Sequence, residues 1–228
     1  MNPFMVSSTS CQLHPLIIPM TKVNLKNINT QVINLDNQPD RMEEVGSFLT
    51  EAEVPFSRFS AFRADQSTGT KHSAGIYGCA RSHYDLLENA EAPILVLEDD
   101  VVPTSYWRTE FDVPDEADAI YLGVSLWGYV PPNMQHSYPY VVQAEQYSSD
   151  WKRIYNMCST HAILYLNEDF IVRVRKVLKD CMDNGWHFDM GMSSIQKDYV
   201  VLAPNEPLVY QKDIPNETNF ILEARSFL

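Results

Sequence analysis

Residues 94–100 read Ile-Leu-Val-Leu-Glu-Asp-Asp, four consecutive apolar residues followed by three acidic ones. An uninterrupted apolar run of this length is typical of a central parallel strand that is covered on both faces. In open α/β folds, ligands bind at the carboxyl ends of such strands. We therefore predict a central strand here, and a cation or ligand site at the acidic residues 98–100.

The segments around this strand alternate between strand-like and helix-like patterns. Strands are predicted at residues 32–35, 56–62, 119–122 and 162–166, and helices at 39–49, 78–90, 167–184 and 190–195. Asn167 is positioned to cap the third of these helices, and Gly185 to end it. Residues 65–75 and 123–138 are predicted as loops. The alternation, without an internal repeat, predicts an α/β sandwich with a mainly parallel central sheet.

The length and composition favour one folded domain. Of 228 residues, 45% are hydrophobic and 21% are charged, which is ordinary for a globular domain. Residues 1–21 are rich in Ser, Thr and Pro without periodicity, so we predict a flexible N-terminal arm there and a single domain over 22–228. The four cysteines are widely spaced and form no CxxC pair, which favours free thiols over a structural zinc site.

The charge balance argues against two classes of partner. The chain carries 30 Asp and Glu against 17 Lys and Arg, a formal net charge of −13. Non-specific binders of nucleic acid or of anionic membranes need the opposite sign, so neither is an expected partner. No segment has the pattern of a secretory signal or the length of a membrane span, and we therefore expect a cytoplasmic protein without stable membrane insertion.

The acidic run after the central strand suits a divalent cation. Mg²⁺ and Mn²⁺ prefer oxygen ligands and commonly take one or two carboxylates together with substrate phosphates. An acidic triplet is more often solvated surface than a metal site. The position of Glu98, Asp99 and Asp100 directly behind an apolar strand nevertheless favours the metal.

Four motifs in order along the chain resemble glycosyltransferase family 25, which includes lipooligosaccharide galactosyltransferases and collagen galactosyltransferase domains. They are Val-Ile-Asn-Leu-Asp at 32–36 with Pro-Asp-Arg at 39–41, Phe-Ser-Ala at 59–61, Gly-Cys-Ala-Arg-Ser-His at 78–83, and Ile-Leu-Val-Leu-Glu-Asp-Asp-Val at 94–101. The resemblance is looser over 118–122, 160–166, 188–189 and 207–211. It implies a GT-A fold, a nucleotide-sugar donor, a divalent metal and inversion at the anomeric carbon.

The resemblance also implies a donor site. UDP-galactose or UDP-glucose is the expected donor, with Mn²⁺ or Mg²⁺ held by Asp100 and Glu98 against the diphosphate. The residues expected to contact the donor are Asn34, Leu35, Asp36, Arg41, Ala61, Gly78, Ser82, Glu98 and Asp99. The acceptor stays open between a glycan, a lipooligosaccharide, a protein side chain and another hydroxyl compound.

Inverting transfer needs a base that deprotonates the acceptor hydroxyl. Asp189 is the candidate, because it stands just before a predicted helix in a segment that resembles the family. Its alternative role is a plain helix N-cap. Asp198 and Asp150 are weaker candidates for the base.

Further side chains near these motifs have two interpretations each. We expect Ser82 near the donor and His83 in a structural role, while His161 and His187 are either late metal ligands or structural groups. The aromatic residues of the loop after Gly123 either stack on an acceptor sugar or only pack the loop down; they are Trp127, Tyr129, Tyr138 and Tyr140.

The function predicted from the sequence is therefore a metal-dependent inverting hexosyltransferase that uses a UDP-sugar. One alternative is a non-catalytic module that keeps the GT-A fold for binding or structure. Another is a metal-dependent phosphoesterase, which predicts further clustered Asp and His ligands. No such cluster stands at a recognisable spacing in the sequence.

Overall fold

The computed structural model describes residues 18–65, 74–129 and 141–212, which form twelve strands and four α-helices. The strands are β1 (Met20–Asn24), β2 (Asn29–Asn34), β3 (Ser57–Ser60), β4 (Ile94–Glu98), β5 (Val101–Pro103), β6 (Glu110–Pro114), β7 (Ala119–Tyr121), β8 (Ala144–Gln146), β9 (Trp151–Ile154), β10 (Ala162–Tyr165), β11 (Val201–Pro204) and β12 (Val209–Gln211). The helices are α1 (Pro39–Glu51), α2 (Ala74–Leu87), α3 (Glu168–Asn184) and α4 (Phe188–Ile195).

An eight-stranded sheet in the order β3-β2-β4-β10-β7-β11-β9-β8 forms the centre of the protein. The β2–β3, β2–β4 and β7–β11 pairs are parallel, and the other pairs are antiparallel. Strands β9 and β10 are therefore antiparallel to the other six strands, which all run in the same direction. The predicted α/β class with a mainly parallel central sheet is confirmed.

The apolar strand β4 is covered on both faces, as its sequence predicts. Ile94 and Val96 belong to the core on the face that carries α2, α3 and α4. Leu95 and Leu97 belong to the core on the opposite face. This core also includes residues of α1 and of the antiparallel pair β1–β6. The sheet is therefore the middle layer of three.

Helix α3 has the sequence signals that define a helix at both of its ends. The Asn167 side chain accepts a hydrogen bond of 2.8 Å from the Asp169 backbone N–H at the start of the helix. Gly185 ends it with φ 79°, a left-handed conformation that favours glycine. The predicted helix over 167–184 is confirmed.

Several element boundaries differ from the prediction. Met20 and Thr21, in the predicted arm, belong to β1 because they pair with β6, while residues 1–17 lie outside the described residues. Helix α2 begins at Ala74 rather than at Gly78, inside the predicted loop. Strand β3 ends at Ser60, because the chain then leaves the sheet and Phe62 packs edge-on against Tyr77.

No helix in the part of the chain that the structure describes is both long enough and apolar enough to cross a membrane.

Candidate functional site

Two adjoining clefts lie at the carboxyl end of β4. The first cleft, of about 380 Å³, brings together nine of the ten residues predicted for the donor and metal. These nine are Asn34, Leu35, Arg41, Ala61, Gly78, Ser82, Glu98, Asp99 and Asp100. Their convergence follows from the topology, because β2 and β4 are parallel neighbours and their carboxyl ends meet at one sheet edge.

The second cleft, of about 370 Å³, adjoins the first through the shared lining residues Gly75, Cys79 and Glu98. Asp189 lines this second cleft together with Trp127. The candidate base and the predicted metal ligands thus lie in two neighbouring spaces with a common wall.

Asn34, at the end of β2, organises the floor of the first cleft. Its amide nitrogen donates to the Asp99 carboxylate at 2.7 Å and to the Gln38 carbonyl at 2.9 Å. Its side-chain oxygen accepts from the Arg58 guanidinium at 2.8 Å. Asn34 is 2% exposed, so these bonds satisfy a buried amide and fix the start of α1 relative to β4.

Asp36 is the predicted donor contact that the structure does not bring into the first cleft. Its carboxylate accepts hydrogen bonds from Arg58 and Ser60 instead. These hydrogen bonds, the one from Arg58 first, lower the pKa of Asp36 below its ordinary value. Asp36 lies on the exposed side of the β2–β3 pair, where its bonds join the two strand ends.

Gly78 and Ser82 hold the segment after β3 against α2. A Cβ on Gly78 would lie 2.8 Å from the carbonyl oxygen of Phe62, so a side chain there would push this segment away. The Ser82 hydroxyl donates to the Gly78 carbonyl at 2.7 Å and accepts from the Phe62 N–H at 2.8 Å. Both residues line the first cleft, but the Ser82 hydroxyl is already bonded within the protein.

Glu98 lies in the wall that the two clefts share. Its Oε1 interacts with His83 Nε2 at 3.0 Å and accepts from the Thr160 hydroxyl at 2.7 Å. Burial raises the pKa of Glu98, but the hydrogen bonds from His83 and Thr160 outweigh burial and hold the pKa below its ordinary value. Glu98 is therefore ionised at neutral pH, and His83 has the structural role that the sequence predicts.

Asp99 is anchored by groups on α1 and β2. One carboxylate oxygen accepts from Asn34, and the other accepts from Arg41 at 3.2 Å. Arg41 thus contacts the acidic run directly, while about half of its side chain stays exposed at the cleft.

Of the three acidic residues at 98–100, Asp100 has the carboxylate with the fewest hydrogen-bond donors around it. Gln211 donates to its Oδ2 at 2.9 Å, while Oδ1 is buried and has no hydrogen-bond partner among the described residues. Burial and then the neighbouring Glu98 charge raise the pKa of Asp100 to about 6. A divalent cation would satisfy the orphaned oxygen and offset the crowded charge, so the oxygen-rich residues here fit such an ion.

Asp189 is half-buried in the first turn of α4. Its Oδ1 accepts a hydrogen bond of 2.7 Å from the Met190 N–H, and its carboxylate reaches the second cleft. The alternative candidates Asp198 and Asp150 are exposed and line neither cleft. Asp189 is thus the candidate base that lines a cleft together with Glu98 of the acidic run.

His161 and His187, the two histidines considered as metal ligands, have different positions. His161 is buried, its Nδ1 is bonded to Ser159 at 2.8 Å, and it lines neither cleft, so its role is structural. Burial lowers the pKa of His161 to about 4. His187 is exposed and lines the second cleft.

The aromatic residues predicted to meet an acceptor are only partly described. Trp127 lines the second cleft and is 49% exposed, which leaves its ring open to a ligand. Tyr129 is half-buried and does not line this cleft, which agrees with loop packing. Tyr138 and Tyr140 lie outside the described residues.

Sequence reasoning missed the side chains that orient the acidic run. Arg58 binds Asn34, Thr160 binds Glu98 and Gln211 binds Asp100. Thr160 and Gln211 lie in segments that loosely resemble the family, which is a signal for their position but not for their partners. Arg58 carries no sequence signal, because its role depends on the parallel pairing of β3 with β2.

The similarity of this chain to known proteins is weak. No protein-family model and no curated protein matches the chain. Among solved structures, the chain is similar to a CTP:phosphocholine cytidylyltransferase from Streptococcus pneumoniae, at 11% sequence identity with a TM-score of 0.39. The similarity covers 83% of this chain and 95% of that chain. It carries no substrate over to this chain, and membership of glycosyltransferase family 25 stays a prediction.

Proposed function

We propose that this protein is a metal-dependent inverting glycosyltransferase that moves a hexose from a UDP-sugar to a hydroxyl acceptor. The observation that carries the proposal is the pair of adjoining clefts, with Asp100 in the first, Asp189 in the second and Glu98 in both. A donor in the first cleft and an acceptor in the second would meet at the shared wall. The motifs that resemble glycosyltransferase family 25 support the choice of UDP and of galactose or glucose.

The charges of the first cleft support a requirement for a divalent cation. Its lining carries the carboxylates of Glu98, Asp99 and Asp100 against the guanidinium groups of Arg41 and Arg63. A nucleoside diphosphate adds further negative charge to this space. Asp100 and Glu98 would hold Mn²⁺ or Mg²⁺, which supplies Lewis-acid neutralisation of the departing diphosphate when bound.

Side chains of the protein would bind the phosphates and remove the acceptor proton. Asn34 and Arg41 fix the Asp99 carboxylate in the first cleft, and Arg41 also offers exposed N–H groups to a phosphate. The acceptor oxygen forms a bond to the anomeric carbon, and the bond from that carbon to the diphosphate breaks with its electron pair leaving on UDP. Asp189 takes the acceptor proton.

Transfer and its simplest side reaction test the proposal. The protein is incubated with UDP-galactose or UDP-glucose, with Mn²⁺ or with EDTA, and UDP release is followed with and without a panel of glycan acceptors. We expect Mn²⁺-dependent UDP release from one of the two donors and a product of inverted anomeric configuration. Binding of a donor without turnover supports the non-catalytic module instead, and hydrolysis of simple phosphate esters supports the phosphoesterase.

A further inference from the structure

A cluster of three different metal-ligating side chains lies in the wall between the two clefts. Cys79 Sγ, His83 Nε2 and a Glu98 carboxylate oxygen all lie within 4.8 Å of one another. Cys79 and His83 stand one helical turn apart on α2, at a spacing that places both side chains on one helix face. Glu98 meets them from the end of β4.

The distances from Glu98 Oε1 to the other two ligand atoms are close to those between the ligand atoms of a tetrahedral zinc site. His83 Nε2 is 3.0 Å and Cys79 Sγ is 3.9 Å from Glu98 Oε1. Ordinary zinc bonds to sulfur, nitrogen and oxygen place ligand atoms about 3.3–3.6 Å apart at tetrahedral angles. Shifts of a few tenths of an ångström bring these two distances to that range, and the third pair, Cys79 Sγ and His83 Nε2, lies within 4.8 Å.

The surroundings of the cluster resemble a three-ligand site with an open fourth position. His83 is fully buried and held in place, and the Thr160 hydroxyl orients Glu98 through Oε1. Cys79 lines both clefts, so water or a ligand can reach the fourth position.

We propose that Cys79, His83 and Glu98 bind a thiophilic divalent cation of the Zn²⁺ class. This ion inhibits the donor site, because Glu98 bound to it is no longer available to the Mn²⁺ or Mg²⁺ that holds the donor. Binding replaces the Glu98–His83 hydrogen bond with two metal bonds and releases the thiol proton of Cys79. When the ring proton of His83 moves from Nε2 to Nδ1, the number of unpartnered ring nitrogens stays the same, because Nδ1 has no hydrogen-bond partner among the described residues. The inhibition rests on the proposed function, whereas the binding of the ion does not.

Cobalt(II) tests the binding without nucleotide or activity, because thiolate coordination to Co²⁺ gives a charge-transfer band in the near ultraviolet. The wild-type protein is titrated with Co²⁺ beside Cys79→Ser and the matched control Cys158→Ser. We expect a band that saturates at one Co²⁺ per chain, that Zn²⁺ displaces, and that Cys79→Ser alone abolishes. An unchanged band in Cys79→Ser, or no band in the wild type, overturns the site.

Two further measurements test whether the Cys79 variant is folded and whether Zn²⁺ inhibits UDP binding. Circular dichroism establishes that Cys79→Ser is folded, and Cys79→Ala replaces it if it is not. Mn²⁺-dependent UDP binding is then titrated with and without one equivalent of Zn²⁺, and we expect at least a tenfold loss of affinity in Cys158→Ser but not in the Cys79 variant. Equal Zn²⁺ sensitivity in the two variants contradicts the inhibition. Absence of UDP binding in every protein contradicts the proposed function and leaves the cobalt result to decide the site.

Discussion

Asp189 is the proposed base for the acceptor hydroxyl. It stands at the start of α4, half-buried, and faces a cleft that shares Glu98 with the expected donor site. Among the described residues, the Met190 N–H donates to one oxygen of its carboxylate, and the second oxygen is left for the acceptor.

Asp189→Asn is expected to lower the rate of transfer by about 10²–10⁴-fold, the usual contribution of a positioned base. Donor affinity should stay within a factor of two, because Asp189 does not line the first cleft. Asp198→Asn, at an exposed position outside both clefts, is the matched control. Steady-state kinetics and UDP titration measure the two quantities, and wild-type turnover in Asp189→Asn rules out this base.

His161 makes the stability of the fold depend on pH. Burial lowers its pKa from 6.5 to about 4, so the unfolded chain binds a proton at a pH where the folded chain does not. The His161 contribution therefore lowers stability as pH falls from about 6.5 to about 4, by up to about 3 kcal/mol. Below this window the contribution is constant.

Urea unfolding between pH 7.5 and 4 measures this effect. We expect His161→Gln to be less stable than wild type at pH 7.5, and the difference to shrink as the pH falls. His187→Gln is the control, because it makes the same substitution at an exposed position. Parallel stability curves for wild type and His161→Gln would contradict the buried, neutral imidazole.

Individual site residues could be predicted from the sequence only where a motif carried them. Asn34, Arg41 and Asp100 lie in motifs and all reach the first cleft. Asp36 lies in the same motif but turns to Arg58 and Ser60, a choice set by strand pairing that the local sequence does not encode. The hydrogen bond to Oδ2 of Asp100 likewise depends on Gln211, which β12 brings beside Asp100 by pairing with β5.

Among the elements, α3 was the easiest to predict. Its apolar spacing, its capping Asn167 and its terminal Gly185 all agree. The start of α2 was harder, because the residues before Gly78 have few helix signals, and the α2 residues that enter the core, Ala80, Leu86 and Leu87, lie further along the helix. Local patterns thus determined the elements that carry their own caps, and tertiary contacts determined the others.

The N-terminal cap of α3 offers a test at this scale. Asn167→Ala removes the bond to the Asp169 N–H and the bond of 2.8 Å to Asp118. We expect a loss of about 1–2 kcal/mol in the free energy of unfolding. Asn167→Ser keeps a capping oxygen and should lose about half as much in urea unfolding. Equal losses in the two variants would contradict a capping role.

At the scale of the whole molecule, the sheet determines where the chemistry lies. The apolar strand β4 runs through both cores and ends in the acidic run, and its parallel neighbour β2 ends beside it. This arrangement was predictable, because parallel β-strands in an α/β fold place their carboxyl ends at one edge. The antiparallel insertion of β10 between β4 and β7 was not, because it depends on pairings between distant segments.

The proposed function requires that the first cleft holds a nucleotide through a cation on Asp100. Calorimetric titration of UDP into the wild type and Asp100→Asn, each with Mn²⁺ and then with EDTA, tests it most directly, with Asp198→Asn as the control. We predict that UDP binds the wild type and Asp198→Asn only with Mn²⁺, and that Asp100→Asn loses at least tenfold in affinity while remaining folded. Equal Mn²⁺-dependent affinity in Asp100→Asn, or UDP binding that EDTA does not affect, would contradict the claim.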